Sequence, residues 1–450
     1  MKKIILAVSI FFLLSATPSE RLAIADIATA GPTKLNSIKN LAGISWWTEL
    51  GGSLLVSATQ RGFVNMQGAG FGVVKALART ITSDDLRVVV GGHKSVSLPA
   101  GTRVLVDEGR VRLVLGDPTA VQALDHLDDD GAEVAGVFPV DPKRVILRRH
   151  VNENHIDNLS AKDAAQLTDV AGKVSRERWW ADVKKLAGWN RHIAAAGNIA
   201  ARDWIKDSLA GIPSMEVTTQ EFQVQGRTSW NVVGILTGER LISESGAADS
   251  GGGGDRGLLI VGGHFDSTSE RTSSAAPGAE DNASGAAGMI ELARVMAEVP
   301  RTHDIVFVAF SGEEQGLVGS AAFVEKLPES ERARVRGVLT MDMIAFAKAG
   351  NSGPLGVLIE TESEHAAFAR RFADAAAQVT KLQVSTSYNP FGSDHVSFLD
   401  VGLPAILAID SDWNRYDHYH RTTDTADKLT PELAHEILKM NAGALALLAQ

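Results

Sequence analysis

The stretch 262–285, GGHFDSTSERTSSAAPGAEDNASG, places a histidine and an aspartate at the two ends of one loop. It follows the apolar run LLIV at 258–261, which is bounded by glycines and is typical of a buried strand. After Asn282 the apolar residues recur at helical spacing, which predicts a helix. His264 is therefore expected just past a strand end and Asp281 at a helix start, the side of an open α/β sheet where ligands bind.

Downstream of about residue 157, short apolar runs alternate with segments of helical periodicity. This alternation predicts an α/β fold whose largely parallel sheet is covered on both faces. The strand-like runs lie at 216–224, 230–238, 258–261, 304–310, 338–344, 356–360 and 403–409, and helices are predicted at 316–327, at 363–378 and from Pro431.

The region before residue 157 has a different pattern, in which short runs rich in valine and leucine are separated by turn residues. Such runs predict a smaller β-rich domain. They lie at 86–92, 102–107 and 111–117. We assign residues 26–156 to an N-terminal accessory domain or a propeptide, two alternatives that the sequence leaves open. Residues 157–450 are then the domain that carries the chemistry.

The first residues resemble an export signal. MKK is followed by an apolar run of roughly 13 residues, which is short for a membrane span and typical of a secretory signal peptide. We predict a signal peptide over 1–25 with cleavage after Ala25, although a cut near Ala16 and an uncleaved anchor are alternatives. The mature protein is then periplasmic or extracellular and has no stable membrane insertion.

Charge and cysteine content narrow the chemistry. A formal net charge of -10 argues against a nucleic-acid partner, because binding phosphates needs clustered lysine and arginine. The chain has no cysteine, which rules out disulfides and thiolate ligands. Any metal must be held by histidine, aspartate and glutamate.

The candidate ligands fall at or just after predicted strand ends, which suggests one shared site. Two histidines and three carboxylates suit a pair of zinc ions. Asp281 would bridge the ions, with a water between them as nucleophile and the metals roughly 3.5–4 Å apart. The predicted set is His264 and Asp342 on one ion, Glu314 and His420 on the other, and Asp281 on both.

The adjacent glutamates of SGEEQG receive different roles. They follow an uninterrupted apolar strand, where two carboxylates are costly to desolvate unless something positive meets them. Neighbouring residues point in different directions, so Glu314 binds metal while Glu313 reaches the water as general base. Asp266, two residues after His264, is predicted to accept a hydrogen bond from the imidazole.

Six segments, GGHFDS, APGAEDNASG, FSGEEQGLVGS, MDMI, GSDHVSF and YHRTTDTAD, resemble the co-catalytic zinc aminopeptidases, the family of bacterial leucyl aminopeptidase and aminopeptidase Y. The resemblance runs from roughly 160 to 450. It implies a three-layer α/β/α sandwich, two zinc ions, and removal of the N-terminal residue from peptides with a free N-terminus. It also implies the five ligands and the base named above, and a cis peptide bond between Asp281 and Asn282.

The substrate pocket is less defined by the sequence. Met343, Ile344 and Phe391 are predicted near its rim, which suggests a hydrophobic side-chain pocket, and Asp394 and His395 are inferred to line it or to support it. Tyr388 is a candidate for assisting the oxyanion, but it lies six residues before Asp394, whereas relatives carry such a tyrosine directly before this motif.

Three other functions are compatible with parts of this pattern. A glutaminyl cyclase of the same fold would hold a single zinc, which the five predicted ligands argue against. A carboxypeptidase would need a basic pocket, for which Arg415 and Arg421 near His420 are candidates. A non-enzymatic relative would be expected to have lost ligands, and none is missing.

Overall fold

The computed structural model describes residues 20–27, 30, 32–78, 80–91, 97–124, 126–127, 133–140, 143–148, 159–239, 256–348, 354–388, 390 and 392–450. Residues 1–19, which carry most of the predicted signal peptide, and the pocket candidate Phe391 lie outside these segments. None of the helices in the described segments is long and apolar enough to cross a membrane.

The N-terminal region, residues 20–148, forms two five-stranded sheets with the strand orders β10-β2-β3-β1-β4 and β6-β7-β5-β9-β8. Its strands are β1 Arg21–Asp26, β2 Ile44–Gly51, β3 Ser53–Ala58, β4 Val73–Ala76, β5 Leu86–Gly91, β6 Arg103–Glu108, β7 Val111–Leu115, β8 His126–Leu127, β9 Glu133–Pro139 and β10 Arg144–Arg148. Its helices are α1 Pro32–Lys39, α2 Gln60–Gly68 and α3 Pro118–Gln122. The β-rich character predicted for this region is confirmed.

Strand β1 lies inside the first sheet, where it pairs antiparallel with β3 on one side and β4 on the other. Its apolar residues are buried, with Leu22 and Ile24 only 5% and 3% exposed. The predicted boundary between residues 25 and 26 falls within this strand. A signal peptide that ends before Arg21 would leave the strand whole.

The large domain, residues 159–450, is built on an eight-stranded sheet of order β11-β12-β14-β13-β15-β18-β16-β17. The strands are β11 Met215–Val224, β12 Arg227–Leu236, β13 Leu258–His264, β14 Asp304–Phe310, β15 Val335–Met341, β16 Gly356–Glu360, β17 Gln383–Ser387 and β18 Ala405–Asp410. The helices are α4 Ala161–Gly172, α5 Arg176–Ala187, α6 Ala196–Ala210, α7 Gly285–Ala297, α8 Val318–Lys326, α9 Glu329–Arg332, α10 Ala366–Val379, α11 His395–Leu399 and α12 Pro431–Leu448.

Strands β14, β13, β15 and β18 are parallel neighbours at the centre of this sheet. One face packs against α4, α5, α6, α7, α10 and α12 in a single apolar core. On the other face, α8 and α11 contribute Phe323 and Phe398, which contact Phe310 of β14. The predicted α/β/α sandwich with a mostly parallel central sheet is confirmed.

The N-terminal region covers the part of this second face that α8 and α11 leave open. Leu358, Leu407 and Ile409 of the large sheet share one buried cluster with Leu22 and Leu86 of the N-terminal region. An apolar core that continues from one region into the other holds the two together.

Candidate active site

The side chains predicted to bind metal converge at the C-terminal edge of the central strands. His264 is the last residue of β13, and Asp342 directly follows β15. Glu313 and Glu314 come three and four residues after Phe310, the last residue of β14. Because these three strands are parallel neighbours, their ends meet, and the residues that follow them face one cleft.

Asp281 reaches the same place from a distorted helical turn, Ala279–Ser284, that leads into α7. The peptide bond between Asp281 and Asn282 is cis, as the family resemblance implies. The Asn282 side chain donates to the carbonyl of Met341 at 2.9 Å and accepts from the N–H of Gly285 at 2.8 Å. These bonds fix the turn against the end of β15 and the start of α7.

The first group of potential ligands surrounds His264. Its Nε2 atom lies 3.3 Å from Oδ1 of Asp281 and 3.4 Å from Oδ1 of Asp342. Two atoms that each lie about 2.0–2.1 Å from a tetrahedral zinc ion are roughly 3.4 Å apart. Glu313 completes the group, with Oε2 at 3.8 Å from the same Nε2. These separations fit one zinc ion held by His264, Asp281 and Asp342.

The second group surrounds His420, which lies on the loop between β18 and α12. Its Nε2 atom is 3.1 Å from Oδ2 of Asp281 and 3.0 Å from Oε2 of Glu314. Asp281 therefore turns one carboxylate oxygen to each histidine. This arrangement is the one that a carboxylate shared between two cations requires.

Buried polar atoms without partners supply an independent test of whether the residues fit a metal pair. Nε2 of His264, Oε1 of Glu314 and Oδ1 of Asp342 are buried and have no hydrogen-bond partner among the described residues. Buried polar groups are normally satisfied, and buried charges are normally paired or bound to metal. The donor set, with imidazoles and carboxylates and no thiolate, suits zinc.

The pKa values of these residues reflect the crowding of negative charge. Burial opposes the charged form of His420, but Glu314 and Asp281 outweigh it and raise the pKa of His420 to about 9. Burial raises the pKa of Glu314 to about 7, against the opposing effect of His420. Burial also raises the pKa of Glu313 well above its ordinary value. Without a cation, this site holds protons at neutral pH that a cation would displace.

Asp266 holds residues of both ligand groups in position. Nδ1 of His264 is 3.2 Å from the backbone carbonyl of Asp266 and 3.6 Å from its carboxylate. The same carboxylate accepts the backbone N–H groups of Glu313 at 3.2 Å and Glu314 at 3.4 Å. With Nδ1 engaged, Nε2 of His264 is left free for a metal. Asp266 is fully buried, which places it as an orienting residue.

Arg191 is a supporting residue that no motif or periodicity singles out. It is completely buried, and burial lowers its pKa to about 10. Its guanidinium donates to the carbonyls of Phe265 at 2.6 Å, Pro277 at 2.6 Å, Gly278 at 2.8 Å and Leu186 at 2.8 Å. It thereby ties together the two ends of the loop that carries His264 and Asp281.

Asp424 is a second supporting residue, and it holds the backbone at Asp281 in position. Its carboxylate accepts the N–H groups of Glu280 at 2.9 Å and Asp281 at 3.1 Å, and the hydroxyl of Tyr416 at 2.6 Å. Burial raises the pKa of Asp424 to about 6, although these bonds oppose the shift. It belongs to the motif YHRTTDTAD, so the signal was present, but the motif alone did not indicate what Asp424 contacts.

The cleft above the ligands contains some of the predicted pocket residues and not others. Met343 lines it, whereas Tyr388, Asp394 and His395 are not among its lining residues, and Asp394 and His395 are buried. Beneath it, Ser393 donates to Oδ2 of Asp342 at 2.8 Å. The described lining residues are Arg110, Asp281, Glu313, Asp342, Met343, Glu360, Gly392, Ser393, Leu407, Ile409, Trp413 and Tyr419.

Comparison with known proteins finds similarity to zinc metalloproteases and aminopeptidases. Residues 247–445 match the sequence model of a family described as "Peptidase family M28". A protein of Pyricularia oryzae described as a probable zinc metalloprotease is 32% identical over 58% of this chain and 60% of its own length. The chain thus spans less than two thirds of that relative.

Two further matches cover more of the chain. A probable leucine aminopeptidase of Arthroderma otae is 24% identical over 66% of this chain and 78% of its own length. The crystal structure of LapB from Legionella pneumophila has a TM-score of 0.51 and 15% identity, and the match covers 96% of this chain and 99% of that one. At this identity the structural match shows that the fold is shared, including the N-terminal region.

Proposed function

We propose that the protein, whose residues 247–445 match the sequence model of peptidase family M28, is an exported two-zinc aminopeptidase that removes the N-terminal residue from peptides. The observation that carries the proposal is the pair of ligand groups joined by Asp281, whose two oxygens lie 3.3 Å and 3.1 Å from the two histidines. The relatives described as a probable zinc metalloprotease and a probable leucine aminopeptidase support this proposed function.

His264, Asp281 and Asp342 would hold one zinc ion, and Asp281, Glu314 and His420 the other. Bound there, the pair would polarise the scissile carbonyl and lower the pKa of water. Glu313 is the general base of the proposal: its carboxylate takes the proton of the attacking water and passes it to the leaving amine. Burial raises the pKa of Glu313, and positive charge beside it has the opposite effect, which suits a group that must accept and release a proton.

The charge of the cleft supports a requirement for a free N-terminus. Asp281, Glu313 and Asp342 all line it. The zinc pair would compensate the charge of its ligands Asp281 and Asp342, and the Glu313 carboxylate would remain to attract a cation at the end where the reaction occurs. A substrate's ammonium group is attracted there, whereas an acetylated N-terminus is neutral and gains nothing.

The test uses amino-acyl chromogenic substrates with free and with acetylated N-termini, assayed before chelation, after chelation and after zinc return. We expect cleavage of the free substrates only, loss of activity on chelation, and recovery with close to two zinc ions bound per chain. Equal cleavage of the acetylated substrates would refute the aminopeptidase assignment, and full activity with one zinc ion would refute the two-zinc mechanism. A protein that binds one zinc ion and cleaves none of these substrates would favour the glutaminyl cyclase hypothesis.

Export is a separate part of the proposal, and it rests on the charged and apolar leader at the start of the chain. Fractionation of an expressing cell would test it, with the protein expected in the periplasm or the medium. Retention in the cytoplasm would contradict it without affecting the catalytic assignment.

A further inference from the structure

The turn between β6 and β7 of the N-terminal region reaches into the cleft of the large domain. Gly109 and Arg110 form this turn, and Gly109 has a φ of 77°, a left-handed conformation that favours glycine. The side chain of Arg110 lines the cleft together with Asp281, Glu313 and Asp342. One wall of the site is therefore supplied by a region that lies outside the matched family segment.

This turn is firmly held against the loop that carries His420. The N–H of Arg110 donates to the carbonyl of Asn414 at 2.6 Å, and the buried Asn414 side chain donates to the carbonyl of Glu108. Arg415 pairs with the Glu108 carboxylate at 3.2 Å. A Cβ atom on Gly109 would come within 2.0 Å of the Asn414 carbonyl oxygen, so only glycine allows this close approach.

The guanidinium of Arg110 is stacked but leaves its edge available. Its Cζ atom lies 3.2 Å from the ring centre of Tyr419 and 5.2 Å from that of Trp413. Its Nε atom is buried and has no hydrogen-bond partner among the described residues. Stacking occupies the faces of a guanidinium, and its N–H donors point outward in the plane, where they match a carboxylate.

Arg110 lies close to the reacting end of the cleft. The Tyr419 ring on which it stacks is itself stacked on His420, with ring centres 3.6 Å apart and an angle of 19° between the planes. One aromatic ring thus separates the guanidinium from a proposed zinc ligand. A substrate bound at the metal pair would have its first residue, or the end of a very short chain, beside Arg110.

The charge balance of the cleft makes Arg110 distinctive. Among the described lining residues it is the single cation, while Asp281, Glu313, Asp342 and Glu360 are acidic. The proposed zinc pair would compensate the charge of its ligands Asp281 and Asp342, and Glu313 is the proposed base for the attacking water. Glu360 is 3% exposed and has an interaction of its own. Among the described residues, no carboxylate forms a hydrogen bond or an ion pair with the guanidinium. Its charge lowers the pKa of the buried Asp410, but burial outweighs this effect and keeps that pKa well above its ordinary value. Met343, Leu407, Ile409 and Trp413 supply apolar lining of the same cleft.

We propose that Arg110 is a specificity-determining residue that binds a carboxylate of the substrate. This inference rests on the proposed aminopeptidase function and names a substrate class for it. The carboxylate has two sources with the same chemistry: an acidic side chain on the first residue, or the free C-terminus of a dipeptide. The N-terminal region then completes the substrate site and takes part in selecting the substrate.

The experiment compares kcat/KM for two matched substrate pairs on the zinc-loaded, full-length protein. Glu-Ala-amide and Gln-Ala-amide differ only in a side-chain carboxylate, and Leu-Ala and Leu-Ala-amide differ only at the C-terminus. The variants are Arg110→Met, which keeps the stacked length without charge, and Arg110→Lys. Arg103→Met, an exposed residue at the far end of the same hairpin, is the control.

We expect the wild type to prefer the carboxylate member of at least one pair, and the pair that shows the preference identifies the source. Arg110→Met should reduce that preference by about tenfold or more, because a charge-assisted hydrogen bond is lost. Its kcat/KM on the amide partners should change little. Arg110→Lys should restore part of the preference, and Arg103→Met should behave as the wild type.

Three outcomes would overturn the inference: no preference in a wild type that cleaves the amides, an equal loss on all four substrates in Arg110→Met, or an equal gain on all four. The last two would make Arg110 a positioning residue or an obstruction. A wild type that cleaves none of the four substrates would instead defeat the aminopeptidase proposal. Calorimetric binding of glutamate against glutamine, and of Leu-Ala against its amide, to the wild type and Arg110→Met would then decide whether a carboxylate is bound.

Discussion

The two ligand groups of the metal site are positioned by different parts of the fold. We call them the His264 half and the His420 half. His264 and Asp342 follow neighbouring parallel strands, and their side chains are 1% and 11% exposed. His420 lies on a loop, and its side chain is 21% exposed. Glu314, the other ligand of that half, follows β14. The first half is thus positioned by the sheet, and the second half depends on whatever holds the loop.

Contacts from distant parts of the chain hold that loop. Glu270 accepts the N–H and the hydroxyl of Thr422 at 2.7 Å and 2.8 Å. Asp424 joins the loop to the backbone of Asp281, and Tyr419 joins His420 to Arg110. We therefore expect the His264 half to tolerate changes in the surroundings and the His420 half to weaken first.

The largest expected effect separates Glu313 from Glu314, adjacent residues that belong to different halves. Glu313→Gln should keep both zinc ions but lose the general base, so kcat should fall by about 10²–10⁴-fold with KM little altered. Glu314→Gln should lose affinity at the His420 half, because an amide is a poorer zinc ligand than a carboxylate. Metal analysis and steady-state kinetics at several zinc concentrations check both.

Added zinc should partly restore the activity of Glu314→Gln and leave that of Glu313→Gln unchanged. If Glu313→Gln lost an ion while Glu314→Gln kept two, the assigned roles would be reversed.

A smaller effect is expected from Asp424→Asn. The amide offers one acceptor oxygen in place of two, so one of the groups now bound to Asp424 would lose its partner. Zinc affinity at the His420 half should fall by about 10- to 100-fold, as is typical for residues that support a metal ligand. Asp427→Asn, an exposed change on the same loop, is the control. Equal weakening by both variants would show that the loop carboxylates act only through their charge.

A rise in pH should destabilise the metal-free protein and strengthen its binding of zinc. The pKa of His420 is raised from 6.5 to about 9, so in the metal-free protein its stabilising contribution is complete below pH 6.5 and is lost as the pH rises through 9. Zinc must displace this proton, so zinc affinity should increase across the same range, by about tenfold per pH unit for each proton released. Thermal melts of the metal-free and zinc-bound forms measure stability, and calorimetry in buffers of different ionisation enthalpy measures zinc affinity and proton release. If the stability of the metal-free protein and the zinc affinity changed in the same direction with pH, the proposed site would be contradicted.

The smallest effect is expected for Tyr419→Leu. Leucine keeps an apolar contact with His420 but loses the stacked ring, and aromatic contacts of this kind contribute about 0.5–1.5 kcal/mol. Zinc titration should show that the affinity of the His420 half falls by a few fold and that the affinity of the His264 half is unchanged. Tyr388→Leu, outside the cleft, serves as the comparison. A change at both sites would mean that the halves are not independent.

Much of this architecture is readable from the sequence because the signals are local. The apolar runs at 304–310 and 356–360 are strands with those bounds, and the helix predicted from Pro431 begins there. Three of the residues predicted as ligands, His264, Glu314 and Asp342, lie at or just after strand ends, and parallel strands bring such ends together whatever the loops between them do. The fold class and the grouping of these three ligands therefore needed no knowledge of long-range contacts, whereas the positions of Asp281 and His420 depend on such contacts.

Other features of the structure depend on long-range contacts, which leave no periodic pattern in the sequence. Asn414 and Glu108 are 306 residues apart in the chain, and Arg178 and Glu291 are 113 apart. Nothing in the pattern around Arg191 distinguishes an arginine that binds four carbonyls from one on a helix surface. Strand β17, QVSTS, escaped prediction because it is short and polar, and its place is set by pairing with β16.

The position of β1 links the processing of the N-terminus to the integrity of the molecule. Cleavage after Ala25 would remove nearly all of this strand and leave β3 with a row of unpaired N–H and C=O groups, the kind of open edge through which chains self-associate into aggregates. Cleavage near Ala16 would leave the edge covered. Leu22 and Ile24 also pack in the cluster that reaches Leu407 in the cleft. A signal peptidase that cut after Ala25 instead of near Ala16 would thus release an aggregation-prone protein whose cleft had lost part of its packing support.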